Sequence, residues 1–306
     1  MSNKIILGSR GSKLSIAYAN KVQSLLSNIK PALEKEVTLK IIKTSGDLFD
    51  KKKISEIGGK NLFCKEIEDK LISKEIDIAV HSLKDLDSVE TEGLVIQAYL
   101  KRNDPRDTLV SSKFKKLSEL NGQKIGSSSR RRELQLKQLN RNIKVESIRG
   151  NVDTRIKKIE NGEYDGAILA LAGLKVLNLE KYAKEIFSLK DFLPTAGQGI
   201  VAVQCRAQDD QIKKILKEIN HKETETCALA ERSFLKTLGG DCDTAVGCTA
   251  ILNKKHIELK AQLFSDDGTK VFNILKTGKE SEPELLGKLA GEEILKQSGK
   301  NFIKKR

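Results

Sequence analysis

The chain has 306 residues, of which 38% are hydrophobic and 32% are charged. This balance excludes intrinsic disorder as the state of the whole chain, and the length favours two or three domains. The formal net charge of +14 predicts an acidic partner, such as nucleic acid, a membrane surface or an anionic small molecule, without deciding among them.

The cysteines and the first residues indicate the compartment in which the chain works. The N-terminus has neither the charged start nor the apolar stretch of a secretory signal, and no window approaches the roughly 20 apolar residues of a membrane span. The five cysteines are irregularly spaced, which fits a reducing compartment better than a disulfide framework. None of the three histidines pairs with a cysteine at zinc spacing. We therefore expect a cytoplasmic protein without a metal site.

The first hundred residues alternate between predicted strands and helices. Apolar runs predict strands at 5–7, 37–42 and 76–80, and apolar residues at helical spacing predict helices at 13–26 and 63–71. Alternation of this kind predicts an α/β sheet with helices on both faces.

A second unit of the same kind follows the turn at 102–105. Strands are predicted at 124–126, 143–148 and 165–170, and helices at 130–139 and from 152 onward. The run 165–170 is nearly all apolar, which is the pattern of a buried parallel strand. A turn-rich joint at 194–199 then leads to a strand at 200–203 and a helix at 212–219. In both units, strands end in polar turns that open helices, a geometry that binds anions.

A third unit begins with a helix at 224–238 and a glycine-bearing loop at 239–243. Strands follow at 245–252, 256–264 and 270–275. Leu285, Leu286, Leu289 and Ile294 predict a last helix that packs against this sheet.

Arginines lie at the turns that open several predicted helices. The turns are Arg10-Gly11-Ser12, Ser127 to Arg132, and Arg149-Gly150-Asn151, which is followed by Arg155. A guanidinium group and free backbone amides together suit carboxylate or phosphate. Each turn alone is equally well a helix cap or a surface arginine, whereas all of them together indicate a polyanion site.

Lys84 and Asp85 directly follow the apolar strand at 76–80, where α/β proteins often carry ligand-binding groups. A simple ion pair in a loop is an equally good interpretation of these two residues. Asp85 could stabilise a cationic intermediate or accept a hydrogen bond from an N–H group.

Cys242 differs from the other cysteines because it lies in the loop 239–243. The flanking Asp241 and Asp243 disfavour a thiolate, which suits a thiol that is alkylated once better than one that turns over rapidly. Cys205 and Cys248 fall in predicted strands and are expected to be core residues.

A series of short motifs resembles the porphobilinogen deaminase family in order and spacing, over essentially the whole chain. The motifs are Gly8–Ser12, Ile57–Lys60, Ala79–Asp85, Ser128–Arg132, Ile148–Val152, Ala172–Leu174 and Gly197–Gly199. The resemblance implies three α/β domains. The first is 1–99 plus 199–219 and the second 104–194, both like periplasmic binding proteins with mixed sheets flanked by helices. The third, 220–306, is a small α/β domain with a three-stranded sheet.

The resemblance also implies a transferase of tetrapyrrole (haem) biosynthesis, a hydroxymethylbilane synthase. Four porphobilinogen molecules are deaminated and joined head to tail onto a dipyrromethane cofactor. This primer is held by a thioether to Cys242, and water then releases hydroxymethylbilane. A monomer without nucleic-acid or membrane partners is expected.

Site residues carried over from the family's motifs include Asp85 as the catalytic carboxylate. Those expected to bind cofactor or substrate are Arg10, Ser12, Lys60, Ser82, Lys84, Ser129, Arg131, Arg132, Arg149, Gly150, Asn151, Arg155, Ala172, Gly173 and Gln198. The family's arginine pair is assigned to Arg131 and Arg132 by the Glu-Leu-Gln-Leu spacing that follows. The chain departs from the family pattern at Val176, where an arginine often stands, and around Cys242, which lacks the usual Gly-Cys-x-x-Pro pattern.

Two other functions compete with this interpretation. A non-catalytic anion-binding protein of the same two-domain clam fold would use the arginine-bearing turns equally well. A nucleic-acid-binding protein is disfavoured, because aromatic residues are only 4% of the chain and the arginines lie at separated turns rather than along one helix.

Overall fold

The computed structural model describes residues 4–29, 37–44, 64–239, 244–299 and 302. Lys60 and Cys242 lie outside these residues. The chain divides into two compact units, one formed by 1–103 and 199–225 and the other by 104–198 and 226–306. The second unit contains two sheets. The finer division into three domains stays a prediction.

The described elements alternate as expected for an α/β protein. The strands are β1 (Ile5–Arg10), β2 (Val37–Ile42), β3 (Ile78–Ser82), β4 (Leu94–Tyr99), β5 (Asp107–Val110), β6 (Lys124–Gly126), β7 (Lys144–Glu146), β8 (Gly166–Ala170), β9 (Ala183–Ile186), β10 (Val201–Arg206), β11 (Val246–Asn253), β12 (His256–Phe264) and β13 (Val271–Lys279). The helices are α1 (Lys13–Ile29), α2 (Lys65–Ile72), α3 (Arg130–Leu139), α4 (Val152–Glu160), α5 (Leu171–Val176), α6 (Asp210–Lys217), α7 (Lys222–Leu238) and α8 (Pro283–Ser298).

The first unit is built on a mixed sheet with the strand order β2-β1-β3-β10-β4. Strand β1 is parallel to β2 and β3, whereas β10 runs antiparallel to both of its neighbours. Helix α1 packs on this sheet through Tyr18, Val22 and Leu26, which recur every four residues and so share one face. The ends of β1 and β3 therefore lie side by side, which places Arg10 near the turn after Ser82.

The second unit contains a mixed sheet with the order β7-β6-β8-β5-β9. Strand β8 is parallel to β6, as its apolar run predicts, but it is antiparallel to β5 on its other side. Apolar periodicity did not indicate β5, which begins at the buried Asp107, or the alternately exposed β9. These two sheets, with helices packed on them, confirm the expected α/β class.

The third sheet is antiparallel, with the order β11-β12-β13, and confirms the predicted three strands. Its core includes Phe234 of α7 and Leu286 and Ile294 of α8. The prediction that Leu285 and Leu289 face this core is wrong, because they are 48% and 41% exposed. Leu286, Ala290 and Ile294 form the buried face, and a helix turns about 100° per residue, which carries each preceding residue off it.

Two sequence predictions about side chains are confirmed. Cys205 and Cys248 are both fully buried in strands, as expected of core cysteines. Among the residues that the structure describes, no helix is both long enough and apolar enough to cross a membrane.

Candidate functional site

The turn after strand β3 presents Asp85 at the surface of the first unit. Strand β3 is apolar and buried until Ser82, and a single 3₁₀ turn over Leu83–Asp85 follows. Leu83 is buried, and its backbone N–H donates to the carbonyl of Ile200 at 2.9 Å. Lys84 and Asp85 are exposed. The turn is thus anchored at its first residue while the Asp85 carboxylate remains accessible.

A pocket, here called the β3 pocket, lies at this turn. It is lined by Arg10, Ser15, Tyr18, Cys64, Val80, His81, Ser82 and Asp85. The structure therefore brings together three predicted site residues, Arg10, Ser82 and Asp85. Ser12 adjoins the pocket, because its hydroxyl lies 2.8 Å from the hydroxyl of Ser15 and accepts from the backbone N–H of Ser15 at 3.1 Å. Lys84 does not line the pocket.

The buried groups of the β3 pocket are held in their neutral forms. Burial, and then the charge of Asp85, raise the pKa of Tyr18 to about 12 and also raise the pKa of the Cys64 thiol. Burial lowers the pKa of His81 to about 4. The thiol of Cys64 donates to the backbone carbonyl of Asp85 at 3.2 Å. Arg10 and Asp85 consequently supply the charges at the pocket.

In the second unit, Arg131 and Arg132 turn inward from helix α3. Nη2 of Arg131 lies 2.9 Å from Oδ2 of Asp107, and Nη2 of Arg132 donates to Oδ1 of Asp107 at 2.7 Å. Nε2 of Gln198 donates to the same Oδ1 at 2.9 Å. Burial by itself raises the pKa of Asp107, but the charges of Arg132 and Arg131 outweigh it and hold the pKa at about 2. These four residues are here called the Asp107 cluster.

The first arginine of the run, Arg130, stays at the surface. Nη1 of Arg130 lies 2.7 Å from the carboxylate of Glu133, and Nη2 donates to the carbonyl of Asp266 at 2.5 Å. Ser129, also predicted as a site residue, is the N-cap of α3, and its hydroxyl accepts from the backbone N–H of Arg132. The two arginines assigned by spacing are therefore the inward-facing ones.

The turn before helix α4 carries three predicted site residues, and a fourth, Arg155, lies within the helix. Gly150 has φ +103°, and a Cβ there would lie 2.7 Å from the side chain of Thr154, so the turn requires glycine. Nε of Arg155 donates to the carbonyl of Gly150 at 2.7 Å, which ties the helix to the turn. Asn151 is the exposed N-cap, and Arg149 precedes it half-buried.

The remaining predicted residues lie on helix α5, directly after strand β8. Ala172 and Gly173 are buried in this helix. Nζ of Lys175 lies 3.3 Å from the carboxylate of Asp104, beside the Val176 position where an arginine often stands. Lys175 is therefore ion-paired within the second unit.

Comparison with known proteins decides the family. Residues 5–214 match the family model "Porphobilinogen deaminase, dipyromethane cofactor binding domain", and residues 225–296 match "Porphobilinogen deaminase, C-terminal domain". The chain belongs to the porphobilinogen deaminase family.

Relatives named porphobilinogen deaminase cover most of the chain. The relative from Nitrobacter hamburgensis is 38% identical, over 97% of this chain and 94% of its own length. The relative from Chlorobium phaeovibrioides is 40% identical, over 99% of this chain and 98% of its own length. The relative from Ehrlichia chaffeensis is 42% identical, over 86% of this chain and 88% of its own length.

The chain is also similar to solved binding proteins. A methionine-binding protein matches 72% of this chain and 89% of its own, at 14% identity and a TM-score of 0.46. The periplasmic aliphatic sulphonate binding protein of Escherichia coli matches 78% of this chain and 70% of its own, at 13% identity and a TM-score of 0.41.

Three residues that sequence reasoning missed stand out in this member of the porphobilinogen deaminase family. Tyr18 fell on the apolar face of a predicted helix, and Asp107 followed a turn-like Asp-Pro-Arg sequence. Glu231 is fully buried and accepts from the backbone N–H groups of Gly197 at 2.6 Å and Ala250 at 2.7 Å. A charged residue inside an apolar helical stripe is the one local signal that Glu231 offered.

Proposed function

We propose that this chain is a hydroxymethylbilane synthase. It deaminates four porphobilinogen molecules and joins them head to tail into the linear tetrapyrrole hydroxymethylbilane. Membership of the porphobilinogen deaminase family, with relatives matched over nearly the whole chain, supports this activity. The observation that carries it is the β3 pocket, where the exposed Asp85 carboxylate lies at an anchored turn beside Arg10 and several hydroxyl groups.

Asp85 is proposed as the catalytic carboxylate. When the C–N bond of the substrate's aminomethyl group breaks, ammonia leaves with the electron pair and the pyrrole retains a positive charge. A carboxylate already in place stabilises this charge without reorganisation at the moment of reaction. The anchored 3₁₀ turn supports such a role, because Leu83 is held by a backbone hydrogen bond to Ile200.

The carboxylates of the substrate require fixed positive charges and hydrogen-bond donors. Every porphobilinogen ring carries an acetate and a propionate group, and a growing chain multiplies them. The residues proposed to bind cofactor or substrate in the first unit are Arg10, Ser12, Lys60, Ser82 and Lys84. Those proposed in the second unit are Ser129, Arg131, Arg132, Arg149, Gly150, Asn151, Arg155, Ala172, Gly173 and Gln198.

The second unit fits a dipyrromethane, which also carries several carboxylates. Its donors are guanidinium groups, hydroxyls and the backbone amides that open α3, all of which suit carboxylates. Nε of Arg131 and Nε of Arg132 are buried without a hydrogen-bond partner among the described residues. When bound, the group supplies the pyrrole carbon to which the first substrate ring is joined. Attachment through a thioether to Cys242 is part of the proposal.

A cytoplasmic location and a monomeric state also belong to this proposal. Cys64, Cys205, Cys227 and Cys248, the cysteines within the described residues, are not joined to one another by disulfide bonds, which supports a reducing compartment.

Intact mass and product formation test the proposed function. Protein purified from cells that make porphobilinogen should carry the added mass of a dipyrromethane and should convert porphobilinogen to hydroxymethylbilane. The Cys242→Ser variant should have the bare mass of its sequence, whereas Cys248→Ser, a buried cysteine of the same unit, should keep the adduct. Bare wild-type protein that binds porphobilinogen without turnover would instead identify a non-catalytic anion-binding protein.

A further inference from the structure

Tyr18 is a buried residue whose hydroxyl has no assigned task. Its side chain is only 5% exposed, yet it lines the β3 pocket together with Asp85. Within the part of the chain that the structure describes, the hydroxyl forms no hydrogen bond, yet its oxygen is not among the atoms sealed from solvent, so it is accessible at the pocket. An unpaired, accessible hydroxyl on a buried side chain that lines a pocket is suited to a ligand that completes its hydrogen bonding.

Helix α1 fixes the position of this hydroxyl. Tyr18 belongs to the same buried stripe as Val22 and Leu26, so its ring is packed against the sheet. The start of the helix is itself held by the hydroxyl of Ser12, which accepts from the backbone N–H of Ser15. A packed aromatic ring has few rotamers, and its hydroxyl is therefore presented to the pocket with little loss of entropy on binding.

The charge distribution around Tyr18 indicates which substrate group it meets. The negative charge of Asp85 is close enough to raise the pKa of Tyr18, together with burial, to about 12. The hydroxyl is thus neutral at physiological pH, and Tyr18 lines the same pocket as Asp85. A protonated aminomethyl group has three N–H donors and no acceptor, so Asp85 alone leaves some of its donors without a protein partner.

We propose that the hydroxyl oxygen of Tyr18 accepts a hydrogen bond from the aminomethyl nitrogen of the substrate, beside the carboxylate of Asp85. This inference rests on the proposed function. It makes Tyr18 a substrate-contacting residue that recognises the group to be expelled, while the carboxylates of the same ring are bound by cations and hydroxyls elsewhere in the site. The contact adds no second negative charge to the pocket, because the phenol stays protonated.

The test compares Tyr18→Phe with wild type in the primer-loaded enzyme. This substitution removes only the hydroxyl and keeps the packed ring. Loss of a hydrogen bond from a charged donor should lower kcat/KM for porphobilinogen by roughly 10- to 100-fold, mainly through KM. Inhibition by the same pyrrole with a methyl group in place of the aminomethyl group should change less than about twofold, because this analogue lacks the nitrogen.

Tyr99→Phe is the matched control, since Tyr99 is a buried tyrosine of the same unit that lies on strand β4 and does not line the pocket. Tyr99→Phe should leave both kcat/KM for porphobilinogen and the inhibition constant of the methyl analogue at their wild-type values. The inference is overturned if Tyr18→Phe keeps wild-type kcat/KM, or if binding of the methyl analogue weakens as much as that of the substrate. These outcomes differ from failure of the proposed function, in which wild type itself forms no hydroxymethylbilane.

Discussion

Asp85 of the β3 pocket is exposed at a turn, whereas Asp107 is 0% exposed and lies between the guanidinium groups of Arg131 and Arg132. A ligand can displace the water that solvates the exposed Asp85 carboxylate. The Asp107 carboxylate has no such water to displace, because protein groups already surround it. Burial thus gives Asp107 a structural role, whereas the exposed Asp85 is the one that we propose for the chemistry.

The largest expected difference between the two aspartates is in their effect on turnover. Asp85→Ala should reduce kcat by roughly 10³-fold or more, because the carboxylate proposed to stabilise the developing cation is lost. The free energy of unfolding should change by no more than about 0.5 kcal/mol, since the side chain is exposed. Steady-state kinetics and urea unfolding measure the two quantities. A variant that turned over normally would remove Asp85 from the mechanism.

Asp107→Ala should show the opposite pattern of effects on stability. It leaves Arg131 and Arg132 as buried, uncompensated cations, which typically destabilises a protein by about 3 to 5 kcal/mol. Urea unfolding checks this, with Asp210→Ala as control, because the side chain of Asp210 is 90% exposed and its loss should cost under about 0.5 kcal/mol. Equal stabilities of the two variants would contradict a structural role for the Asp107 cluster.

The pH dependence of stability should separate the two regions further. The pKa of His81 is about 4 in the folded chain, against an ordinary value of 6.5. Between these two pH values His81 is protonated in the unfolded chain and neutral in the folded chain. Stability should therefore fall by about 3 kcal/mol between pH 6.5 and pH 4. His81→Gln should flatten this slope, and His256→Gln, which alters an exposed histidine, should not.

Asp107 acts in a lower pH window. Its pKa is about 2 in the folded chain and 3.8 as the ordinary value, so its contribution is complete above about pH 4 and is lost as the pH falls toward 2. In the His81→Gln background, acid unfolding that begins only below about pH 4 would sharpen the assignment of the two windows.

The smallest effect is expected at Cys64, whose thiol contacts Asp85 only through the backbone carbonyl. Cys64→Ala should lower kcat by no more than about fivefold, because a thiol is a weak donor and only the position of the turn is affected. Cys64→Ser retains a donor and should stay closer to wild type. A loss as large as that of Asp85→Ala would place the thiol itself in the chemistry.

Much of the local structure follows from sequence patterns. Strand β12 and helix α3 have the predicted bounds, and the turn carrying Asp85 lies where an apolar run ends. Gly150 was expected at a helix-opening turn, and its φ of +103° explains why glycine stands there. Periodicity, apolar runs and helix-opening turns are properties of neighbouring residues, so the chain itself displays them.

The sequence by itself determined the alternation of strands and helices, the family motifs and the candidate roles of Asp85 and Cys242. Only the tertiary structure decided that Arg131 and Arg132 turn inward to Asp107, and that Tyr18 combines core packing with a hydroxyl at the pocket. Asp107 and Arg132 are 25 positions apart in the chain yet 2.7 Å apart in space. Burial and charge pairing arise from such distant contacts, which local patterns do not encode.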